Sequence, residues 1–418
     1  MKKIFIYAGN ACERRKLDAR RISKYLSING YEIITDPRKA DMIIVSTCGA
    51  NNFLADESFK SIDKFKKFDA ELIVAGCIPA TDEERLKKTF NGKTVVTNDL
   101  DKIDTYFPEN KIKFNEIEDC NLPLISIDES KASDVFKKLF ISSASTKKLY
   151  AGVFNHSMKN IFGKAHLALG NLLDIPLDDF YLIRISWACS QNCSYCAIKR
   201  ALGKFHSKPL DQVINEFKDG LAKGFTNYFI TADDTGAYGV DFGKTFMELL
   251  DKLTAIEGDY NIGIHALNPV WLVKYIDELE EILKRGKIKY INIPIQSGSS
   301  RVLKLMRRYS NVEKIKDAFI RLKKAYPDLS ILTHCIVGFP TETEEEFMGT
   351  LEFIRDTNMD IGYLLPMSVR PDTTAENIEP KISMEEITRR INYGRGYLRQ
   401  LGYKTYSKGG SLIFGGKR

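Results

Sequence analysis

The chain has 418 residues and a formal net charge of +7, with 44% hydrophobic and 28% charged residues. This length is enough for about two or three domains, and the composition is that of an ordinary globular protein. No apolar run approaches the roughly 20 residues of a membrane span, and the N-terminus lacks the apolar core and cleavage site of a signal peptide. We therefore expect a cytoplasmic protein that needs no membrane, in a compartment where thiols stay reduced.

The first hundred residues alternate short apolar strands with helical periodicity. Such alternation predicts an α/β fold with a doubly wound parallel sheet, which we assign to an N-terminal domain over residues 1–104. The predicted strands are Lys3–Tyr7, Tyr31–Thr35, Met42–Ser46, Glu71–Ala75 and Thr94–Thr97, and the predicted helices are Asp18–Asn29, Ala55–Lys67 and Thr81–Lys88.

Three cysteines, Cys12, Cys48 and Cys77, each follow a strand of this predicted sheet. The carboxyl ends of parallel strands meet at one edge, which is where such sheets bind ligands. We therefore expect the three thiols to converge. The alternative is that they are buried structural cysteines, because free cysteine is often part of a core.

Residues 105–180 are predicted to be a structured connector. They contain a polar run, a Ser-rich patch at residues 142–145 and possible helices near Ala132–Phe140 and Ala165–Leu173. Cys120 has no partner pattern, and we assign it no role.

Residues 181–375 alternate strand and helix again, with six steps. Six are too few for a closed eight-fold barrel and predict an open, partial (β/α)6 barrel. The predicted strands are Tyr181–Trp187, Asn227–Thr231, Asn261–Ala266, Lys289–Ile295, Ser330–Val337 and Ile361–Leu365, and the predicted helices are Leu210–Ala222, Gly243–Ile256, Val270–Arg285, Asn311–Ala325 and Thr343–Thr357. Cys335 lies inside a strand and is predicted to be a core residue.

A second set of cysteines, Cys189, Cys193 and Cys196, follows the first strand of this barrel. Three close thiols in a reducing compartment suit a metal or an iron–sulfur cluster better than a disulfide. On a four-iron cluster, three cysteines leave one iron open to an exogenous molecule. The alternative is a structural zinc site with His206 as the fourth ligand.

The C-terminal residues 376–418 are predicted to form a basic helix, Lys381–Leu401, followed by a tail, Gly402–Arg418. Lys381–Arg418 holds nine basic and two acidic residues, a net charge of +7 that equals that of the whole chain. Such a segment can bind a nucleic-acid backbone or an acidic peptide. The alternative is a solvated helix face with a frayed tail.

The spacing Cys189-x3-Cys193-x2-Cys196, with Tyr195 before the last cysteine, resembles that of the radical S-adenosylmethionine (SAM) enzymes. The N-terminal cysteines narrow the resemblance to the methylthiotransferases of that superfamily, which replace C–H with C–SCH3 on a tRNA adenosine or a protein side chain. Segments that carry this resemblance are Ser46-Thr47-Cys48, Ala75-Gly76-Cys77, Pro294–Ser299 with Met306, Ile336–Thr343 and Arg370–Thr373.

The resemblance implies two 4Fe-4S clusters and two uses of SAM. Cys189, Cys193 and Cys196 would hold the radical-generating cluster, which takes an electron from an external donor and yields a 5′-deoxyadenosyl radical from one SAM. Cys12, Cys48 and Cys77 would hold a second cluster that carries or supplies the sulfur methylated by the other SAM. Matching positions make Tyr195, Asp234, Gln296 and Ser297 candidates for positioning SAM; alternatively these side chains pack the loop, cap a turn or satisfy backbone groups.

The chain also departs from the family pattern. Arg15 stands where asparagine is usual, Ala232-Asp233-Asp234 replaces Gly-Gln-Asn, Gly263 replaces a basic residue, and His334 replaces a common aspartate. The tail is too short for the family's C-terminal β-barrel (TRAM) domain, which helps to bind the substrate. His265 and His334, near the barrel mouth, are predicted to be structural histidines.

These features predict a methylthiotransferase whose favoured substrate is a peptide or protein side chain, such as a ribosomally synthesised peptide. One alternative is a tRNA adenosine, with the basic helix replacing the missing domain. The other alternative is a non-catalytic two-cluster electron-transfer protein, which the loops Gln296-Ser297-Gly298 and Gly338-Phe339-Pro340 disfavour because an electron carrier needs no SAM cleft.

Overall fold

The computed structural model describes residues 1–124 and 180–416. These residues form two compact units. The N-terminal unit comprises residues 1–124 and 197–204, and the barrel unit comprises residues 180–196 and 205–416. The helices predicted near Ala132–Phe140 and Ala165–Leu173, and the Ser-rich patch, lie outside the described residues.

The N-terminal unit is built on a five-stranded parallel sheet with the order β2-β1-β3-β4-β5. The apolar strand β3 is buried along its whole length, as expected of a parallel strand covered on both faces. The predicted doubly wound sheet is confirmed, and the strand order reverses between β1 and β3. The strands are β1 Lys3–Tyr7, β2 Glu32–Ile34, β3 Met42–Thr47, β4 Glu71–Gly76 and β5 Lys93–Val96.

Helices cover both faces of this sheet. Alternate residues of β1 point to opposite faces, so that Ile4 and Ile6 join one core with α1 while Phe5 and Tyr7 join another with α2. The helices of the unit are α1 Glu13–Ile28, α2 Asn52–Phe65, α3 Ile78–Thr81, α4 Glu83–Thr89 and α5 Lys199–Leu202.

The packed N-terminal unit continues past the predicted domain limit at residue 104. Two stretches of 3-10 helix follow β5, at Thr97–Tyr106 and Phe114–Glu116. The buried cluster that contains residues of β1 and α1 also contains Phe107, Phe114 and Ile117, which lie in or next to these two stretches. Part of the predicted connector is therefore core of this unit.

The barrel unit contains the six parallel strands predicted from the sequence, each paired with the next along the chain. One isoleucine or leucine from each strand is buried under the surrounding helices: Ile183, Ile230, Ile264, Ile291, Ile331 and Leu364. The partial (β/α)6 barrel is thus confirmed. The strands are β6 Tyr181–Arg184, β9 Asn227–Thr231, β10 Asn261–Ile264, β11 Ile288–Asn292, β12 Ser330–Val337 and β13 Ile361–Pro366.

Two short strands, β7 Ser186–Trp187 and β8 His206–Ser207, form an antiparallel pair on either side of the second cysteine set. Two of the remaining helices begin at capping boxes, which Thr245 and Thr343 form with Glu248 and Glu346. The remaining helices are α6 Leu210–Ala222, α7 Phe246–Thr254, α8 Pro269–Lys274, α9 Ile276–Leu283, α10 Ser300–Leu305, α11 Val312–Ala325 and α12 Glu344–Thr357.

One predicted helix is divided. The segment expected to run from Val270 to Arg285 breaks at Tyr275, whose backbone leaves the helical region and ends α8 before α9 begins. The rings of Trp271 and Tyr275 stack, with centroids 6.0 Å apart. The break leaves α8 as a separate short element that carries Trp271.

The C-terminus differs from the prediction, because a β-hairpin is found where a tail was expected. Helix α13, Met384–Gln400, is followed by a hairpin of β14 Lys404–Lys408 and β15 Ser411–Gly415, and β15 pairs antiparallel with β13. The turn is formed by Gly409 and Gly410, both at positive φ, which glycine adopts without strain. Leu412 and Phe414 fill the barrel core. Within the described residues, no helix has both the length and the apolar character needed to cross a membrane.

Candidate metal centres

The cysteine segment of the barrel unit, Cys189–Cys196, directly follows β7, and its three cysteines are thiols that are partly buried. Ser194 anchors it: the Ser194 N–H donates to the Met306 carbonyl (3.0 Å) and the hydroxyl donates to the Leu305 carbonyl (2.7 Å). These bonds attach the segment to the end of α10, an element that follows β11. The thiols are therefore held at the carboxyl side of the barrel sheet, as predicted.

Asp234, a predicted site residue, is buried beside this segment. It accepts hydrogen bonds from the Ser190 hydroxyl (2.5 Å), from Gln191 Nε2 (3.3 Å) and from Trp271 Nε1 (3.0 Å). Burial raises the pKa of Asp234, and the three donors oppose that rise. One carboxylate therefore joins the cysteine segment to the loop after β9 and to α8.

Arg308 is a second charged group at the segment. Its Nη1 donates to Cys193 Sγ (3.5 Å) and its Nη2 donates to the Pro294 carbonyl (2.7 Å). Tyr195 packs partly buried against the barrel core. Burial raises the pKa of Tyr195, and the charge of Arg308 opposes the rise. Tyr195 thus both packs against the core and interacts with the charged group beside the cysteine segment.

The electrostatics of the segment fit a positively charged metal group. Burial raises the pKa of Cys189, and the charges of Asp234, Cys193 and Cys196 raise it further. Three thiolates beside a carboxylate repel one another, whereas coordination deprotonates thiols by supplying a compensating charge. The donor set, three sulfurs and no nitrogen, is that of iron–sulfur ligation.

A site for a single metal ion is not formed. Within residues 1–124 and 180–416, no group of three or more His, Cys, Asp or Glu side chains is arranged to bind one ion. His206, the proposed fourth zinc ligand, is exposed and stacks on Trp187 with centroids 4.8 Å apart. The structure therefore gives the three thiols no fourth zinc ligand at His206.

Gln296 and Ser297 lie in the loop after β11. Gln296 has φ 74°, and its backbone is fixed by bonds to the His334 carbonyl and from the Ile336 N–H, both 2.8 Å. Its Oε1 is buried and accepts no hydrogen bond from any of the described residues, an arrangement that costs free energy unless a ligand donates to it. Ser297 is buried and accepts from the Ser299 N–H (3.1 Å), so its hydroxyl oxygen supports the loop.

In the N-terminal unit, Cys12 precedes α1, Cys48 follows β3 and Cys77 follows β4. All three stand at the carboxyl edge, and Cys12 and Cys48 flank the position between β1 and β3 where the strand order reverses. Sheets of this kind bind ligands at that position. Burial raises the pKa of Cys48, and the charges of Cys12 and Cys77 raise it further, so the three thiols interact.

The loops of Cys48 and Cys77 are in close contact. A Cβ added to Gly49 would lie 2.0 Å from Thr81 Oγ1, and one added to Gly76 would lie 2.4 Å from the Thr47 carbonyl oxygen. The Cys77 N–H donates to that same Thr47 carbonyl (3.1 Å). Glycine is thus required at both positions, and the predicted convergence of these two cysteine loops is confirmed.

Arg15, one of the departures from the family pattern, is buried near this second thiol set. Its Nε lies 2.7 Å from Asp18 Oδ2, and both side chains are nearly inaccessible. The charge of Arg15 lowers the pKa of Cys48 against the larger effect of burial. A buried cation therefore faces thiols that a cluster would hold as anions.

Three other residues named in the sequence analysis, Cys335, His334 and His265, pack against neighbouring side chains of the barrel unit. Cys335 is fully buried in the barrel core, as predicted. His334 packs edge-on against Tyr363, with centroids 4.7 Å apart, and its Nε2 lies 3.3 Å from Asn292 Nδ2. His265 packs against Phe229. Both histidines have packing partners, as structural histidines do.

The sequence did not identify Arg308, Trp271 or the Ser190-Gln191 pair as parts of the site. Ser190 and Gln191 lie inside the cysteine motif, so their position was a usable signal. Arg308 follows Met306, which the family resemblance had already marked. Trp271 carried no signal, because it is an aromatic residue in a predicted amphipathic helix.

Two family models match the chain. The model described as Radical SAM superfamily matches residues 183–354, and the model described as Uncharacterized protein family UPF0004 matches residues 5–97. The first range runs from β6 into α12, and the second contains most of the five-stranded sheet. The two matches therefore coincide with the two units that carry the cysteine sets.

Whole-chain comparisons find similar proteins that match most of the length of this chain. A probable threonylcarbamoyladenosine tRNA methylthiotransferase from Pyrococcus abyssi is 27% identical over 376 residues, 90% of this chain and 79% of that protein. A ribosomal protein uS12 methylthiotransferase from Clostridium botulinum is 31% identical over 379 residues, 89% of this chain and 76% of that protein. The radical S-adenosylmethionine methyltransferase TsrM from Kitasatospora setae aligns with a TM-score of 0.59 at 12% identity, covering 98% of this chain and 81% of that one, a likeness of fold alone.

Proposed function

The chain belongs to the radical SAM methylthiotransferases, and on that premise we propose that it replaces a substrate C–H bond with C–SCH3 by means of two four-iron clusters and two SAM molecules. The observation that carries the proposal is a second set of three cysteines at the carboxyl edge of the N-terminal sheet, two of whose loops are in contact. An enzyme that only generated a radical would not need it. Because the chain belongs to this enzyme family, the alternative function of a non-catalytic electron-transfer protein is excluded.

Cys189, Cys193 and Cys196 would hold the radical-generating cluster, which with SAM and one electron from an external donor supplies a 5′-deoxyadenosyl radical. Tyr195, Asp234, Gln296 and Ser297 would position SAM. The buried, unpartnered Oε1 of Gln296 supports its role, because SAM offers amino and hydroxyl donors. Asp234 would act by holding the cysteine segment, since its oxygens already accept from Ser190, Gln191 and Trp271.

Cys12, Cys48 and Cys77 would hold the second cluster, which carries or supplies the inserted sulfur. Two observations support this assignment: the thiols interact electrostatically, and the Cys48 and Cys77 loops touch through Gly49 and Thr81. Two buried thiols and one partly buried thiol at the same sheet edge favour a metal group over a purely structural role.

For the substrate, the structure favours RNA over the peptide expected from the sequence. Arg395 donates to the Ser407 hydroxyl (2.5 Å) and Arg399 donates to the Thr405 hydroxyl (2.8 Å). Neither forms an ion pair with a carboxylate in the part of the chain that the structure describes. Two guanidinium groups one turn apart, held by neutral hydroxyls at the surface, are suited to phosphate oxygens.

A peptide or protein side chain is the second candidate substrate. It is supported by the relative from Clostridium botulinum, whose name assigns it to ribosomal protein uS12. In this case the same basic surface on α13 and β14 would meet an acidic protein segment. The two candidates differ in the salt dependence of binding, which is steep for an RNA backbone.

Anaerobic reconstitution with iron and sulfide tests the chemistry. After SAM and dithionite are added, we expect 5′-deoxyadenosine together with S-adenosylhomocysteine, the product of sulfur methylation. Transfer RNA and ribosomal protein uS12 are then supplied separately, and mass spectrometry looks for the mass of an added SCH2 unit. Absence of 5′-deoxyadenosine from a preparation with its full iron content contradicts the proposal.

The second cluster is tested with Cys12, Cys48 and Cys77 all changed to Ala. We expect the iron content to fall by about half, SAM cleavage to persist and sulfur insertion to stop. Cys120→Ala, a change in the same unit but away from this thiol set, is the matched control and should retain both activities. Sulfur insertion by the triple variant would rule out the second cluster.

A further inference from the structure

Arg308 connects two parts of the barrel unit that the family motifs treat separately. It follows α10, and its guanidinium donates both to Cys193 Sγ (3.5 Å) and to the Pro294 carbonyl (2.7 Å). Pro294 opens the loop that carries Gln296 and Ser297. One side chain therefore touches both a ligand of the proposed radical-generating cluster and the start of the proposed SAM loop.

The charge of Arg308 is permanent, because a guanidinium does not lose its proton in proteins. The side chain is partly buried, and charges act more strongly there than in water. A second charged group at the segment is Asp234, which raises the pKa of Cys189 and also interacts with Arg308 itself. Cys189 thus faces an anion and Cys193 a cation, so the cysteine ligands are electrostatically inequivalent.

We propose that Arg308 is a positioning residue that raises the reduction potential of the cluster held by Cys189, Cys193 and Cys196. Hydrogen bonds to cluster sulfurs and nearby charge are among the factors that set such potentials. A cluster held by these cysteines would gain one electron from the donor and no proton on reduction, so its charge would become more negative by one. The guanidinium stabilises that added charge and stays protonated throughout.

This inference rests on the proposed function only through the radical-generating cluster. It needs neither the second cluster nor a decision between RNA and peptide. The alternative role for the same side chain is an ion pair with the carboxylate of SAM. That role would act on the affinity for SAM instead of the potential, so the two can be separated by measurement.

The test compares the reconstituted full chain with Arg308→Gln, Arg308→Met and Arg308→Lys. Arg307→Gln is the matched control, since Arg307 is the exposed neighbour. The midpoint potential is read from the electron paramagnetic resonance signal that changes when SAM is added, during a dithionite titration. The affinity of the oxidised protein for SAM is measured separately by equilibrium dialysis.

We expect the neutral variants to be at least tenfold harder to reduce, which for one electron is ~59 mV toward negative potential. Arg308→Lys keeps the charge and should shift by less than half as much, and Arg307→Gln should match the wild type. With a weak donor, SAM cleavage by the neutral variants should fall tenfold and recover in excess dithionite. Arg308→Met gives the same comparison if Arg308→Gln does not take up the cluster.

An unchanged midpoint potential in the neutral variants overturns the inference. So does a shift in Arg308→Lys as large as that in the neutral variants, because it would mean that charge is not the cause. Weaker SAM binding at unchanged potential would assign Arg308 to the SAM carboxylate instead. A wild-type protein without any SAM-responsive signal would contradict the proposed function itself, and that outcome is distinct from the others.

Discussion

Glu342 and Arg390 form a buried ion pair, with 3.0 Å between Oε2 and Nη1, that joins the loop after β12 to helix α13. The same Oε2 accepts the Gly338 N–H (2.7 Å). Gly338 has φ 83°, and a Cβ there would lie 2.2 Å from Ile387 Cγ1, so the loop and the helix are in direct contact. The C-terminal helix is thus part of the barrel unit and not a solvated appendage.

This pair predicts a pH dependence of stability. Burial raises the pKa of Glu342 to about 7 from 4.5, so the folded protein holds this proton to higher pH than the unfolded chain does. Its contribution to stability is therefore complete below pH ~4.5 and is lost as the pH rises through about 7. Over that interval the free energy of unfolding of the wild type should fall by roughly 3 kcal/mol relative to that of Glu342→Gln. Urea unfolding at several pH values measures this difference.

Arg390 keeps other carboxylate partners, Glu344 and Glu386, when Glu342 is protonated. Glu386→Gln, at a half-buried position, is the comparison for loss of a carboxylate near Arg390 without loss of the buried proton. A stability difference between the wild type and Glu342→Gln that is constant from pH 4.5 to 8 would contradict the raised pKa.

Loss of the Asp234 carboxylate should disorder the cysteine segment. Asp234→Ala leaves the donors of Ser190, Gln191 and Trp271 without their acceptor, at a cost of about 1–3 kcal/mol for each buried one. We expect lower iron content and at least a tenfold loss of 5′-deoxyadenosine formation. Asp233→Asn is the neighbouring control and should retain both, and equal losses in the two variants would argue against this role.

The loop after β11 requires glycine at position 298. A Cβ on Gly298 would lie 2.5 Å from the Gly349 carbonyl oxygen of α12, so Gly298→Ala must displace backbone and should destabilise the protein by about 1–3 kcal/mol. Gly349, on the other side of this contact, is the control, because the nearest atom to a Cβ added there would be 3.7 Å away. Gly349→Ala should be neutral or stabilising by up to ~1 kcal/mol. Thermal unfolding of both variants decides the matter.

The basic surface makes a prediction about RNA binding. Changing Arg395 and Arg399 to Gln should weaken tRNA binding and lower the slope of log affinity against log salt by about 1–2, the effect of two lost phosphate contacts. Arg389→Gln is the matched control, because Arg389 is paired with Glu344 and Glu386. Binding that does not respond to salt, measured by filter retention, would favour the peptide substrate.

Much of the fold followed from local patterns. The six barrel strands are apolar runs separated by amphipathic helices, and β12 was placed at its observed limits, Ser330–Val337. The three N-terminal cysteine positions followed from the rule that loops after parallel strands share one edge. Such predictions succeed because strand, helix and loop order are encoded within short windows of sequence.

The features that were missed depend on distant partners. Arg308 and Cys193 are 115 residues apart, and Trp271 and Asp234 are 37 residues apart, so nothing local reports these contacts. The tail prediction failed for another reason. Gly409 and Gly410 between two alternating segments are a hairpin signal, and β15 of that hairpin pairs with the distant strand β13.

The hairpin also changes what the barrel sheet presents to other molecules in the cell. Without it, the backbone groups of the largely buried strand β13 would form the end of the sheet, a template for uncontrolled association between chains. With it, the terminal strand is β14, which carries Lys404 and Lys408 at its two ends. Charged residues at such an edge discourage strand addition, so these last residues protect the protein against aggregation.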